Sequence, residues 1–259
     1  MSYLSPSGHR RAAHTAVRPL RFGVPGFAHP LLAPAEWGEL VRSDVPVDWV
    51  VLGAGSPVAP HGASGGPGAR PDPYCLTAVT RLREAGVRVL GHLDTAFGER
   101  PFAELLSEAQ RYLNWYKVDG FSLDASPTGP AALPVTRRTV NTLRTLLDRA
   151  YVVLQHGIHP CSGYAALADQ LVTFRGPWAA YRWSQVPEWT AGHPPERFCH
   201  LVHGVPRSDL DEALRLARRR GAATVYVTDR ATADGADPWE VLPGYWDDLV
   251  SRIGPGVSE

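Results

Sequence analysis

The stretch Val118–Ser126, VDGFSLDAS, decides the fold. Val118, Gly120, Phe121 and Leu123 form a short apolar run of the kind found in a strand covered on both faces. Asp124 stands where that run stops, and Ser126-Pro127 turns the chain away. An acid at the carboxyl end of a buried parallel strand occupies the position where α/β folds place their chemistry. The same residue could simply cap the following loop, so its weight depends on what surrounds it.

Outward from this stretch, strand and helix alternate in both directions. Upstream lie expected strands at 20–29, 47–55 and 87–95, with helices at 33–44, 73–86 and 101–116. Pro101 suits a first turn and Gly86 a helix end. Downstream follow a helix at 134–149 and strands at 150–157, 169–176, 197–205 and 222–229. The segment 208–221 reads as a clean amphipathic helix, with Ser208 as N-cap, Asp211 and Glu212 in the first turn and arginines in the last. The segment WEVLPGYWDDLVSRIG (239–254) closes the chain as a helix or helical turn.

Eight strands, each followed by a helix or helical turn and without a second-domain linker, predict an α/β protein made of a single (β/α)8 TIM-type barrel, with an open doubly wound sheet as the alternative. The expected layout is a loose leader over 1–18, a barrel domain over 19–254 and a tail over 255–259. Long connections follow the second, fifth, sixth and eighth strands, whereas helix-to-strand connections are short, often one glycine. That asymmetry puts the elaborated loops on the carboxyl rim, where barrel enzymes work.

Composition narrows the function. The formal net charge is zero, which argues against a nucleic-acid groove or an anionic membrane surface. No apolar run reaches the roughly 20 residues needed to span a bilayer, and the basic N-terminus has no apolar signal core. Cys75, Cys161 and Cys199 are scattered without metal-ligand spacing and fit reduced thiols in a cytoplasm. Neither metal nor cofactor is expected, because short-spaced pairs such as HxH or HExxH are missing. The SGGPG loop (64–68) has no Lys-Ser/Thr after it and is not a phosphate cradle. Oligomeric state is not fixed by the sequence.

Side chains alternate along a strand, so parity selects what faces the mouth. His92 and Asp94 share parity on the third strand, Ser122 and Asp124 on the fourth, and Leu154 and His156 on the fifth. Asp94 and Asp124, inward on neighbouring strands, would form an acid/base or acid/nucleophile pair; alternatively Asp94 caps the turn before FGER and never meets Asp124. His29, His92 and His156 fall at the ends of the first, third and fifth strands, where they could transfer protons, bind a metal such as zinc as the lesser alternative, or serve structure. His200 and His203 have opposite parity, so at most one lines the mouth. Aromatic residues crowd the last third, among them Trp178, Tyr181, Trp183, Trp189, Trp239, Tyr245 and Trp246, as sugar-stacking platforms or as packing.

The chain resembles the spherulin 4-like (spherulation-specific family 4) proteins in SGGPG...PDPY (64–74), AGVRVLGHLDTAFGER (85–100), YLNWYKVDGFSLD (112–124), ADQLVTFRGPWAAY (168–181) and VYVTD...PWEVLPGYWDDLV (225–250). The resemblance implies a barrel related to microbial glycoside hydrolases that cut α-1,4-linked galactosamine and N-acetylgalactosamine polymers, in a family whose members are typically secreted. It implies a saccharide or small-molecule ligand, with Asp72, Tyr74, Tyr181 and Trp239, all within the matching segments, among the binding residues. It also implies an Asp-Glu pair at the end of the fourth strand, where this chain has Asp124-Ala125. The sixth strand of the family reads TFE, and Arg175 stands here for the acid. Family tyrosines on the first strand appear as Phe27 and His29, GYV has become Gly91-His92-Leu93, and an Asn-Pro-Gly after the fifth strand has become Gln155-His156-Gly157.

Three functions follow. In the first, the barrel is repurposed for acid/base chemistry (elimination, cyclisation or isomerisation) on a small, anionic or sugar-like intracellular substrate. Asp124 and Asp94 are then catalytic, and His29, His92, His156 and Arg175 hold the substrate. The second is a glycosidase acting on galactosamine-type saccharides. The third is a catalytically inactive carbohydrate-binding barrel.

Overall fold

The computed structural model of the chain describes residues 19–26, 28–53, 66–232 and 237–253. Eight parallel strands close into a barrel in sequence order: β1 (Arg21–Val24), β2 (Val47–Leu52), β3 (Arg88–Asp94), β4 (Gly120–Asp124), β5 (Tyr151–Gln155), β6 (Gln170–Pro177), β7 (Phe198–His203) and β8 (Thr224–Val227). Helices α1 (Pro34–Glu39), α2 (Pro73–Glu84), α3 (Phe102–Tyr116), α4 (Leu133–Leu146), α5 (Trp178–Tyr181), α6 (Leu210–Arg219) and α7 (Trp246–Ile253) surround it. The expected barrel is therefore the fold found. The leader, the tail, Phe27 and residues 54–65 of the Gly/Pro loop lie outside the described residues. Among those described, no helix is long and apolar enough to cross a membrane.

Several elements differ from expectation. Only a 3₁₀ turn, Ser162–Ala166, joins β5 to β6, and α5 is a single turn. Helix α7 begins at Trp246, because Pro243-Gly244 interrupts the expected helix. Ser208 does not cap α6; its hydroxyl donates to Asp209 Oδ1, while Asp209 Oδ2 accepts from the Trp178 indole. Both groups are thus engaged within the 3₁₀ turn Arg207–Asp209 that leads into the helix.

Helix α3 shows how the outer layer is fixed. Leu105, Ala109, Tyr112 and Tyr116 recur on one face and are buried against the barrel. Tyr112 reaches its place because position 91 is glycine: a Cβ there would lie 2.7 Å from the tyrosine ring. Its hydroxyl then donates to the carbonyl of Leu52 on β2. Gly120, at the start of β4, is required for a similar reason, since a Cβ would fall 1.9 Å from the carbonyl oxygen of Tyr151.

The barrel interior is partly polar. The Trp49 indole donates across it to Gln170 Oε1 at 2.7 Å, and Gln170 Nε2 donates to Thr224 Oγ1. Gln170 therefore faces inward, and alternation puts Val172 inward too. Strand β6 then carries a bulge: its pairing with β7 runs from Val172–Cys199 directly to Phe174–His200, skipping Thr173. The extra residue reverses parity. Phe174 turns outward onto Tyr181 of α5, with ring centroids 4.6 Å apart, and Arg175 turns into the mouth.

Candidate functional site

Strand β4 delivers Asp124 to the centre of the carboxyl rim, and neighbouring strands clamp it. Its Oδ1 accepts from Arg175 Nη1 at 3.0 Å and from the backbone N–H of Ala125 at 2.9 Å. Its Oδ2 lies 3.5 Å from His92 Nε2. Arg175 Nη1 also reaches Gln155 Oε1 at 3.4 Å, and Gln155 Nε2 donates to Ser122 Oγ at 2.6 Å. Burial alone would raise the Asp124 pKa. The hydrogen bond from His92, the Arg175 and His92 charges and the Ala125 N–H outweigh it and hold the carboxyl well below the usual range. Asp124 is therefore an anion throughout the neutral range.

The far wall is built by β7 and the loop before α7. The Arg175 guanidinium carbon lies 5.7 Å from the centre of the Trp239 ring. The His203 ring meets Trp239 edge-on at 5.7 Å, and His203 Nδ1 is buried without a hydrogen-bond partner among the described residues. Burial, and then the Arg175 charge, lower the His203 pKa, so the ring is neutral at pH 7.

Other candidates sit elsewhere. Asp94 is the strand partner of Asp124, but its Oδ1 accepts from the Ala96 N–H. Among the described residues no hydrogen bond or ion pair joins the two acids, so the turn-capping alternative holds. His156 lies behind β5: its ring packs edge-on against Tyr164 at 4.8 Å and its Nδ1 contacts the Ser126 carbonyl. The inward expectation failed because Ser122 pairs with Val153, and paired residues on neighbouring strands share a face. Gln155, not His156, thus faces inward with Asp124. Tyr181 is fully buried, with its hydroxyl on His200 Nδ1; it supports β6 from outside and offers no ligand face. Of the other aromatics, Trp178, Trp239, Tyr245 and Trp246 are buried, whereas Trp183 is 79% exposed.

His29, Asp72 and Tyr74 form a separate cluster between β1 and α2. Asp72 Oδ1 caps α2 by accepting from the N–H groups of Tyr74 and Cys75. His29 Nε2 lies 3.5 Å from both Asp72 Oδ1 and Cys75 Sγ, and the exposed Tyr74 ring stands edge-on to His29. One ligand atom from each of His29, Asp72 and Cys75 falls within 4.8 Å of the others, a spacing that could suit a metal. The hydrogen bonding does not. His29 Nδ1 accepts from the Leu31 N–H, so the ring proton sits on Nε2, where a metal would need a lone pair. Burial, followed by the Asp72 charge, pushes the Cys75 thiol up to about 12. The group is a hydrogen-bonded brace.

Backbone strain gathers beside Asp124. Ala96, Phe97 and Ala125 are left-handed at φ 46°, 56° and 47°. Thr95 fastens this corner, its hydroxyl reaching the carbonyls of Asp124 and Ala125, while the Phe97 N–H donates to Ala125. The Phe97 ring is left 70% exposed at the rim.

Comparison with known proteins places the chain in a family. A sequence profile described as spherulation-specific family 4 matches residues 24–253. Spherulin-4 of Physarum polycephalum is 22% identical over 249 residues, spanning 92% of this chain and 71% of that protein. The crystal structure of Aspergillus clavatus Sph3 in complex with GalNAc aligns with a TM-score of 0.73 at 23% identity, covering 91% of this chain and 98% of that one. That likeness is one of fold. The glycoside hydrolase domain of PelA from Pseudomonas aeruginosa aligns at a TM-score of 0.48 with 17% identity, over 82% of this chain and 96% of that one.

Proposed function

The chain belongs to spherulation-specific family 4, and from that premise we propose that its glycoside-hydrolase-like barrel binds a small sugar-like or anionic molecule at the carboxyl rim and moves a proton on it. Asp124 and His92 act as a carboxylate–imidazole pair. A saccharide ligand is supported by the GalNAc complex of the structurally similar Sph3.

The observation that carries this reading is the clamp on Asp124: Arg175 on one oxygen, His92 on the other, and no second carboxylate bonded beside it among the described residues. Two-carboxylate glycoside hydrolysis needs one ionised acid and one protonated acid that gives up its proton. Asp124 meets the first requirement only, and alanine and arginine occupy positions 125 and 175. His92 is the titratable group in contact with it. Its Nε2 faces Asp124, so a proton is taken at Nδ1, which is buried without a partner among the described residues; Asp124 then stabilises the imidazolium and Arg175 fixes the carboxylate in place. Such a pair serves elimination, cyclisation or isomerisation, in which a proton leaves a carbon or hydroxyl near a carbonyl. Asp94 acts by holding the 95–98 turn against β4.

Incubation with N-acetylgalactosamine and with D-galacturonate in D₂O, followed by NMR, tests the proposal. We expect solvent deuterium to enter a carbon-bound position of at least one probe, and Asp124→Asn and His92→Gln each to slow this more than about 100-fold. Release of reducing ends from a galactosamine polymer would instead favour hydrolysis. Probe binding with no exchange in any form would favour ligand holding without turnover.

A further inference from the structure

Resting on that reading of the rim as the ligand site, we infer that Arg175, His203 and Trp239 form a subsite for a carboxylate on the ligand, so that the preferred sugars are uronic acids and not neutral or amino sugars. Arg175 is the key. A guanidinium has five N–H donors arranged as forks. Here Nη1 serves both Asp124 and Gln155, whereas Nε and Nη2 have no protein partner among the described residues. The side chain is one-third exposed at 33%, so part of it is open to a ligand. A free guanidinium fork binds a planar carboxylate through two parallel hydrogen bonds.

The surroundings favour this occupant. The Trp239 ring, 5.7 Å from the guanidinium carbon, holds it by a cation–π contact. The neighbouring His203 ring, set by the same tryptophan, has a buried nitrogen without a partner, a polar atom that a ligand oxygen or hydroxyl could satisfy. Charge selects the valence. Asp124 and Arg175 cancel, His203 is neutral, and His92 is engaged on the other Asp124 oxygen. One added negative charge is tolerated there, and a phosphate dianion would bring a second against the same Asp124 carboxylate. A cationic amino sugar would face Arg175 directly.

Isothermal titration of the full chain at pH 7.5 in low salt with D-galacturonate, D-galactose and galactose 6-phosphate distinguishes the outcomes. We expect galacturonate to bind at least about tenfold tighter than galactose, as charge-assisted hydrogen bonds give. The preference should fall severalfold on raising salt and shrink in Arg175→Gln. Arg175→Gln leaves Asp124 without its cation and could unfold; His203→Leu keeps the ion pair and should also reduce the galacturonate-to-galactose ratio. Equal affinity for galacturonate and galactose, or tightest binding of the phosphate, overturns the carboxylate subsite and leaves the proton-transfer reading intact. Failure of all three sugars to bind overturns both.

Discussion

The ion pair between Asp124 and Arg175 should be measurable as a coupling free energy. Its atoms lie 3.0 Å apart and its side chains are 30% and 33% exposed, between a surface pair and a core pair. At an effective dielectric constant of about 20, charges about 4 Å apart attract by about 4 kcal/mol. Desolvation and solvent screening of a one-third-exposed pair reduce this to about 1–2 kcal/mol net. Urea unfolding of wild type, Asp124→Asn, Arg175→Gln and the double variant closes a mutant cycle. Each single change should cost about 2–3 kcal/mol, because it strands a half-buried charge, and the double change should cost less than their sum by about 1–2 kcal/mol. The Asp124 pKa is lower folded than unfolded, so its contribution is complete above the unfolded value of about 3.9 and is lost as pH falls towards the folded value. Additivity within about 0.5 kcal/mol would refute the clamp.

Further outcomes follow from other parts of the chain. Phe97→Gly should stabilise the fold by about 0.5–1 kcal/mol, read as a higher melting temperature, because glycine adopts the left-handed conformation at φ 56° without a Cβ penalty; a lower melting temperature would show that the exposed ring packs. In native protein, a thiol reagent at pH 8 should modify Cys161 well before Cys75 and Cys199, which are buried. His156 and His200 should keep flat NMR shifts from pH 8 to 5, since burial, the first cause in both, lowers their pKa to about 4 and about 3. Their unfolded rings bind protons near pH 6.5 that the folded rings refuse, so stability should fall as pH drops below that value; a titration step near 6.5 in either folded ring would contradict this.

How much of this could be read from the chain depends on the range of the interaction. The strand–helix alternation is local, and it yielded the barrel and the place of Asp124. Parity within one strand is also local, which is why Ser122 and Asp124 share a face as expected. The phase between strands is tertiary. Sequence parity alone puts His156 inward, because Leu154-Gln155-His156 says nothing about which residue opposes Ser122. A polar Gln155 in an otherwise apolar strand was the available signal, as were Ser122 and Gln170, each of which faces the interior. Asp94 had the right backbone position, and its short side chain still turned to the nearer donor, the N–H of Ala96. Tyr181 belongs to a one-turn helix whose packing outside β6 no periodicity could reveal. The metal expectation rested on spacing in sequence, which cannot register three residues such as His29, Asp72 and Cys75 meeting in space; there the position of one ring proton, set by Leu31, decides the matter.

The inserted Thr173 makes β6 a two-position selector. Shortening the strand by that residue would restore plain alternation, rotating Phe174 into the opening and Arg175 out towards the helices. A mouth lined by arginine would become one lined by phenylalanine without any side chain being replaced. Changes in chain length, as much as exchanges of residue, thus offer barrels of this lineage a route to new ligands, and libraries that vary strand length at this point would sample it directly.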